Sequence, residues 1–117
     1  MTLRFAKLGA NLTISDINEE GLIETKKMVK QLTGRDDNIL TIKLDVSDRE
    51  AVANSARIAK ATFGPVDILI NNAGIVQGKQ ITEMNEKMAR LSLVVNCESH
   101  IWLIREFIHD MEERNKG

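Results

Sequence analysis

The stretch that most constrains this chain is Val66-Asp67-Ile68-Leu69-Ile70 running into Asn71-Asn72-Ala73-Gly74. Val66, Ile68, Leu69 and Ile70 are nearly continuous in apolarity, the pattern of a strand covered by helices on both faces. Strands of that kind are parallel, and open α/β sheets bind ligands in the crevice at their carboxyl ends. Asn71 and Asn72 offer amide donors and acceptors there, and Gly74 lets a ligand approach the backbone closely. Taken alone, the last four residues fit an ordinary strand-to-loop turn equally well.

The residues around this stretch set its context. Leu3–Ala10 reads as the last turns of a helix, with Gly9 at its end. Asn11–Ser15 is a short strand with Leu12 and Ile14 on one face, ending at Asp16. Asn18 caps a helix whose apolar positions are Leu22, Thr25, Val29 and Leu32, and Gly34 with Arg35-Asp36-Asp37-Asn38 turns the chain out. Ile39–Leu44 is a half-polar strand, suited to a sheet edge, and it leads into Asp45-Val46. Ser47-Asp48-Arg49-Glu50 has the form of a capping box, with the Ser47 hydroxyl as the cap. Val52, Ala56, Ala59 and Phe63 carry the following helix to Gly64-Pro65, which stops it.

Beyond residue 74 a loop precedes a long helix from near Asn85 to near Arg114. One stripe of it is Val94, Cys97, Ile101, Ile104, Ile108 and Met111; a second face carries Asn96, His100, Leu103 and Phe107. Apolarity over so much of the girth predicts deep burial or cover by a second subunit, with Cys97 a small core residue. Strand and helix alternate strictly. The expected fold class is therefore α/β, one domain over residues 1–117, with three parallel strands alternating with helices.

Composition removes several functions. A net charge of −1 gives no electrostatic case for nucleic acid or an acidic membrane surface. The single cysteine rules out an internal disulfide and suits a reducing, cytoplasmic setting. No apolar run reaches the ~20 residues of a membrane span. His100 and His109 stand without a cysteine pair, so no metal-ligand spacing exists.

Three strands end in polar groups: Asp16, Asp45 and Asn71-Asn72. An acid after the second strand of a dinucleotide fold accepts hydrogen bonds from the adenosine ribose hydroxyls. It repels a 2′-phosphate and so favours NAD over NADP. Asp45 is placed to take an adenine amino group, and Ala73-Gly74 to pass beneath the nucleotide. Either acid alone is a common helix-leading residue; three such ends on one edge favour a nucleotide site.

Asn71-Asn72-Ala73-Gly74, Leu44-Asp45-Val46, Asp16 and Asn96 together resemble the short-chain dehydrogenase/reductase family, across essentially the whole chain. Phe5-Ala6-Lys7-Leu8-Gly9, Ser15-Asp16-Ile17-Asn18 and Asn96 through Trp102 are most similar to its branch of epidermal retinol dehydrogenases and 17-beta-hydroxysteroid dehydrogenase type 11. The resemblance implies a Rossmann-like fold and a nicotinamide oxidoreductase acting on retinoid, steroid or other lipid-like hydroxyls and carbonyls. It implies Asp16 as ribose ligand, Asp45 and Val46 beside adenine, and Asn72, Ala73 and Gly74 lining the cofactor. Asn71 ties the central strands, and Asn96 holds a water in the proton relay to a catalytic lysine.

The departures imply as much. The family's first strand and glycine-rich loop have no counterpart ahead of Arg4, nor do its catalytic serine and Tyr-x-x-x-Lys helix, and the chain has no tyrosine at all. The expectation is an internal fragment with an incomplete Rossmann-like sheet, inactive by itself. With the first strand missing, Leu12–Ile14 and Ile68–Ile70 are expected to close into direct parallel pairing, because unpaired buried backbone is costly. The alternative function is a non-catalytic module that pairs with a full-length relative through the 85–114 helix, as a homo- or hetero-oligomer. For such a full-length relative, the resemblance points to the endoplasmic reticulum or lipid droplets.

Overall fold

The first half of the molecule is one crossover unit. A computed structural model describes all residues, Met1–Gly117. Helix α1 (Thr2–Lys7) ends at Gly9, whose φ of 81° lies in the left-handed region that favours glycine. Strand β1 (Leu12–Asp16) is followed by α2 (Glu19–Thr33) and β2 (Ile39–Lys43). The two strands pair in parallel, from Leu12 opposite Ile39 to Asp16 opposite Lys43. Asn18 caps α2 by accepting from Gly21 N at 3.1 Å, and Gly34 closes it at φ 72°. Ala6, Val29 and Ile39 form the core of this half, with Leu3, Leu12 and Ile14 packed on it. β2 has β1 on one side only, so it is an edge strand, as its half-polar pattern predicts.

The second half is helical. Helix α3 (Arg49–Phe63) buries Val52, Ser55, Ala56 and Ala59. A 3₁₀ turn (Ile81–Glu83) leads to α4 (Glu86–Leu93), capped by Asn85. A π-turn (Val94–Glu98) joins α4 to α5 (Ser99–Arg114), so the long helix runs where the sequence places it but with one widened turn. Helices α3 and α5 pack on each other, with Ser99 and Phe107 buried on the α5 side. Across that contact the Lys60 ammonium lies 3.3 Å from Asp110, donates to the Glu106 carbonyl at 3.0 Å and sits over the Phe107 ring. No helix is long and apolar enough to cross a membrane.

Four expectations need correction. The sheet has two strands, not three: residues 66–71 carry no strand pairing. Direct pairing of Leu12–Ile14 with Ile68–Ile70 does not occur, since no backbone hydrogen bond joins them. The physical reason is that this backbone is hydrated rather than buried, with Ile68 64% and Ile70 45% exposed, so no large penalty drives closure. The cap of α3 is Asp48, which accepts from Glu50 N and Ala51 N at 2.9 and 3.0 Å; Ser47 instead bonds Asp45. A carboxylate one residue closer to the helix outcompetes the hydroxyl. Cys97 is exposed, because the α3 contact uses the Ser99 and Phe107 side of the helix.

What holds the 66–75 segment is side chains of one helix. Arg114 donates to the Val66 carbonyl at 2.9 Å and to Asp67 Oδ1 at 2.6 Å, and Lys116 lies 3.3 Å from the other Asp67 oxygen. At the far end Asn96 Oδ1 accepts from Ile75 N at 2.8 Å while Asn96 Nδ2 donates to Ile75 O at 2.9 Å. The His100 ring nitrogen stands 3.4 Å from Ala73 O. Spread this way, the molecule is open. Its radius of gyration is 15.9 Å, against about 13 Å for a compact domain of this length.

Candidate functional site

Parallel pairing brings the two acids to one edge. Leu44 N donates to Asp16 O at 3.0 Å, so Asp45 follows directly beside the end of β1. Asp16 Oδ1 accepts from Asn18 N at 2.9 Å in the turn that opens α2. Its other oxygen has no partner in the chain and the residue is exposed. Asp45 Oδ1 accepts from Ser47 Oγ at 2.7 Å and Ser47 N at 2.9 Å. Those bonds, the hydroxyl's foremost, hold the Asp45 carboxyl below the usual carboxylate range. Each acid thus has one oxygen locked by its own turn and one offered outward, and Val46 lies half-buried next to Asp45.

The asparagine–glycine turn lies against the long helix, with the His100 ring nitrogen 3.4 Å from Ala73 O. A cleft of about 700 Å³ runs between Ser47 and α4, lined by Asn85, Lys87, Arg90, Leu91 and Val94 among others. Val94 opens the π-turn that carries Asn96, and Asn96 clamps Ile75 just past Gly74. π-turns cost helix regularity and concentrate at functional sites. Asn72, Ala73 and Gly74 are exposed. A Cβ on Gly74 would meet only Asn96 Oδ1, at an ordinary 3.5 Å, and its φ is not in the left-handed region. The local packing therefore does not require glycine there, and its bare backbone stays open to close approach. Asn71 Oδ1 is buried without a partner.

The structure thus brings Asp16, Asp45 and Val46 together at the strand ends, and Asn72–Gly74 to Asn96. Open carboxylate oxygens, exposed backbone and a bare glycine fit the adenosine half of a dinucleotide. Both ends of the Asn96 amide are engaged by Ile75, so in this structure the side chain fixes the loop. Four residues escape a reading for motifs. Ser47 sets Asp45, Lys87 and Arg90 line the cleft, and Arg114 anchors the segment's start from far along the chain. The i+4 spacing of His100 from Asn96, by contrast, is visible in the sequence.

Comparisons with known proteins converge on one lineage. The family model for short chain dehydrogenase matches residues 1–117. The chain is 39% identical over 117 residues to short-chain dehydrogenase/reductase family 16C member 6 of Bos taurus, covering 100% of this chain and 36% of that protein. It is 37% identical over 117 residues to epidermal retinol dehydrogenase 2 of Homo sapiens, covering 100% of this chain and 37% of the relative. L-sorbose reductase from Gluconobacter frateurii, solved with NADPH and L-sorbose, superposes with a TM-score of 0.85 at 26% identity, over 96% of this chain and 42% of that one. The chain spans just over a third of the length of these two sequence relatives. The chain belongs to the short-chain dehydrogenase family.

Proposed function

We propose that this chain supplies the adenosine-binding part of a nicotinamide-dependent oxidoreductase, with NAD preferred over NADP. The observation that carries the reading is the pair of outward carboxylate oxygens on Asp16 and Asp45 at one sheet edge. A nicotinamide cofactor supplies hydride transfer between itself and a hydroxyl or carbonyl carbon. Within this chain, Asp16 accepts from ribose hydroxyls, and its charge opposes a 2′-phosphate. Asp45, kept ionised by Ser47, accepts from the adenine amino group beside Val46. Asn72, Ala73 and Gly74 present backbone to the nucleotide, and Asn96 holds that backbone in place.

Substrates of the whole activity are read as retinoid, steroid or other lipid-like alcohols and carbonyls, on the resemblance to the retinol and steroid branch. The isolated chain is read as inactive. General acid–base catalysis needs a positioned donor of suitable pKa, and the chain has no tyrosine, while Asn96 is an amide that does not titrate. Calorimetric titration tests the site: NAD binds more tightly than NADP, and Asp16→Ala weakens NAD about ten-fold, equivalent to about 1.4 kcal/mol. Equal affinities for the two dinucleotides, or an unchanged Asp16→Ala, contradict the assignment. NADH formation above a no-protein control, with retinol or a hydroxysteroid present, contradicts the inactivity.

A second reading, a non-catalytic module that pairs with a full-length relative through the long helix, is favoured by one observation. Leu93, Cys97, Ile101 and Ile104 remain exposed on α4–α5, Ile101 by 54%. Sedimentation of the chain mixed with a relative, with and without Ile101→Glu, separates the readings: a complex abolished by that variant supports the module.

A further inference from the structure

The backbone of Asn71–Gly74 has a single hydrogen-bonding partner, and it is a side chain of the long helix. From Pro65 to Lys79 no residue makes a backbone–backbone hydrogen bond. Within the four-residue turn, one contact reaches the main chain, from the His100 ring Nε2 to Ala73 O at 3.4 Å. The next ties lie beyond it: Asn96 grips the N–H and C=O of Ile75, and Gln77 Nε2 donates to Met88 O at 3.4 Å. Asn96 and His100 stand four apart, so they leave one face of the helix. The π-turn carries Asn96 and ends two residues before His100. His100 is half-buried, while Ala73 and Gly74 are exposed. A carbonyl oxygen only accepts, so a bond at Ala73 O requires the ring proton on Nε2. In a neutral imidazole that leaves Nδ1 bare and fixes one tautomer.

We propose that His100 is a positioning residue for this turn: its Nε2–H donates to Ala73 O and, with the Asn96 grip on Ile75, holds the Ala73–Gly74 peptide in one orientation. That peptide joins the Ala73 C=O to the Gly74 N–H. It is trans, so the two groups point opposite ways across one rigid plane. Fixing the carbonyl on the helix side turns the Gly74 N–H away from the helix. No group of the chain accepts from that N–H, which leaves it to donate to an acceptor oxygen of a ligand. That this ligand is a nucleotide rests on the function proposed above; the clamp on the peptide does not. The 3.4 Å separation is long for an N–H···O bond. Hydrogen bonds at working sites are often long in the free protein and tighten in the complex, so a bound nucleotide is expected to draw His100 and Ala73 together.

Two variants separate the donor from the ring. His100→Phe keeps a planar ring and removes the N–H, whereas His100→Gln keeps an N–H donor on a flexible arm. Heteronuclear NMR of the parent chain is expected to show the neutral His100 ring with its proton on Nε2. That N–H should exchange with water several-fold more slowly than the ring N–H of His109, which is exposed beside Glu112. In His100→Phe the Gly74 amide resonance shifts and NAD binds about five-fold more weakly, the weight of one hydrogen bond. His100→Gln restores both, and the Leu12 and Leu44 amides stay protected in each variant. A proton on Nδ1, a ring N–H as labile as that of His109, or a Gly74 amide unmoved by His100→Phe overturns the proposal. So does a His100→Gln variant that behaves as His100→Phe, or unchanged NAD affinity in His100→Phe when the parent binds. A parent chain that does not bind NAD contradicts the proposed function instead, and the ring and Gly74 signals then decide the clamp.

Discussion

Residues 39–43 and 66–70 are both short, apolar and preceded by a helix, yet one is a strand and the other is only extended. Ile39–Lys43 finds β1 alongside and closes a parallel ladder over the Ala6–Val29–Ile39 core. Val66–Ile70 finds no strand and is hung from α5 by Arg114 and from the π-turn by Asn96. The difference teaches that apolar patterning specifies a strand's side chains but not its neighbours. Pairing depends on what lies next to the segment in space. The Asn72–Gly74 turn sits on the less secured of the two regions, held by side chains where β2 is held by backbone.

The contrast breaks first in the paired half. Ile39→Ala removes a buried side chain from the core and is expected to cost about 2–5 kcal/mol, read as a lower midpoint in a urea melt. A substitution of the same kind at Ile68, which is largely exposed, is expected to fall within about 0.5 kcal/mol. Comparable losses at the two positions would erase the distinction.

Next comes the clamp. Asn96→Ala deletes two hydrogen bonds to Ile75 and is expected to cost about 1 kcal/mol, the low end for two exposed bonds. The loss should appear as faster exchange at the Ile75 amide and as weaker NAD binding, with the β1–β2 amides unaffected. Slower exchange at Ile75, or global destabilisation, would mean that the clamp is not local.

The smallest effect belongs to the other anchor. Arg114, and then Lys116, hold the Asp67 carboxyl below its ordinary 3.8. A carboxyl depressed on folding contributes stability above its unfolded pKa, and that contribution is lost as pH falls through the lower folded value. Arg114→Ala is therefore expected to loosen residues 66–68 near neutrality, with the difference from the parent vanishing in acid. The exposed pair is screened, so the effect should also shrink with added salt. A difference that grows as the pH drops would assign the anchor to other contacts.

Most helix boundaries were legible because caps and glycines act locally: Asn18, Gly34, Gly64 and Asn85 all stand where the residues place them. The family and its strand-end acids were legible for the same reason, since Asp16 and Asp45 each bond within two residues of themselves. The cap of α3 was misassigned to Ser47 because Ser47 and Asp48 both carry capping oxygens, and geometry chose between them. The role of Arg114 was hidden because it depends on contacts 47 and 48 residues apart in sequence. The unpaired state of 66–70 was hidden because pairing depends on what lies beside the segment in space, and no residue within the segment encodes that.

Native-state amide exchange of the chain alone separates the paired region from the unpaired one. Slow exchange is expected at Leu12, Ile14 and Leu44, which sit in or cap the ladder, and near-free exchange at Ile68, Leu69 and Ile70 in the same sample at dilute concentration. Protection at Ile68–Ile70 as strong as at Ile14 would contradict it, because those amides would then have a strand beside them.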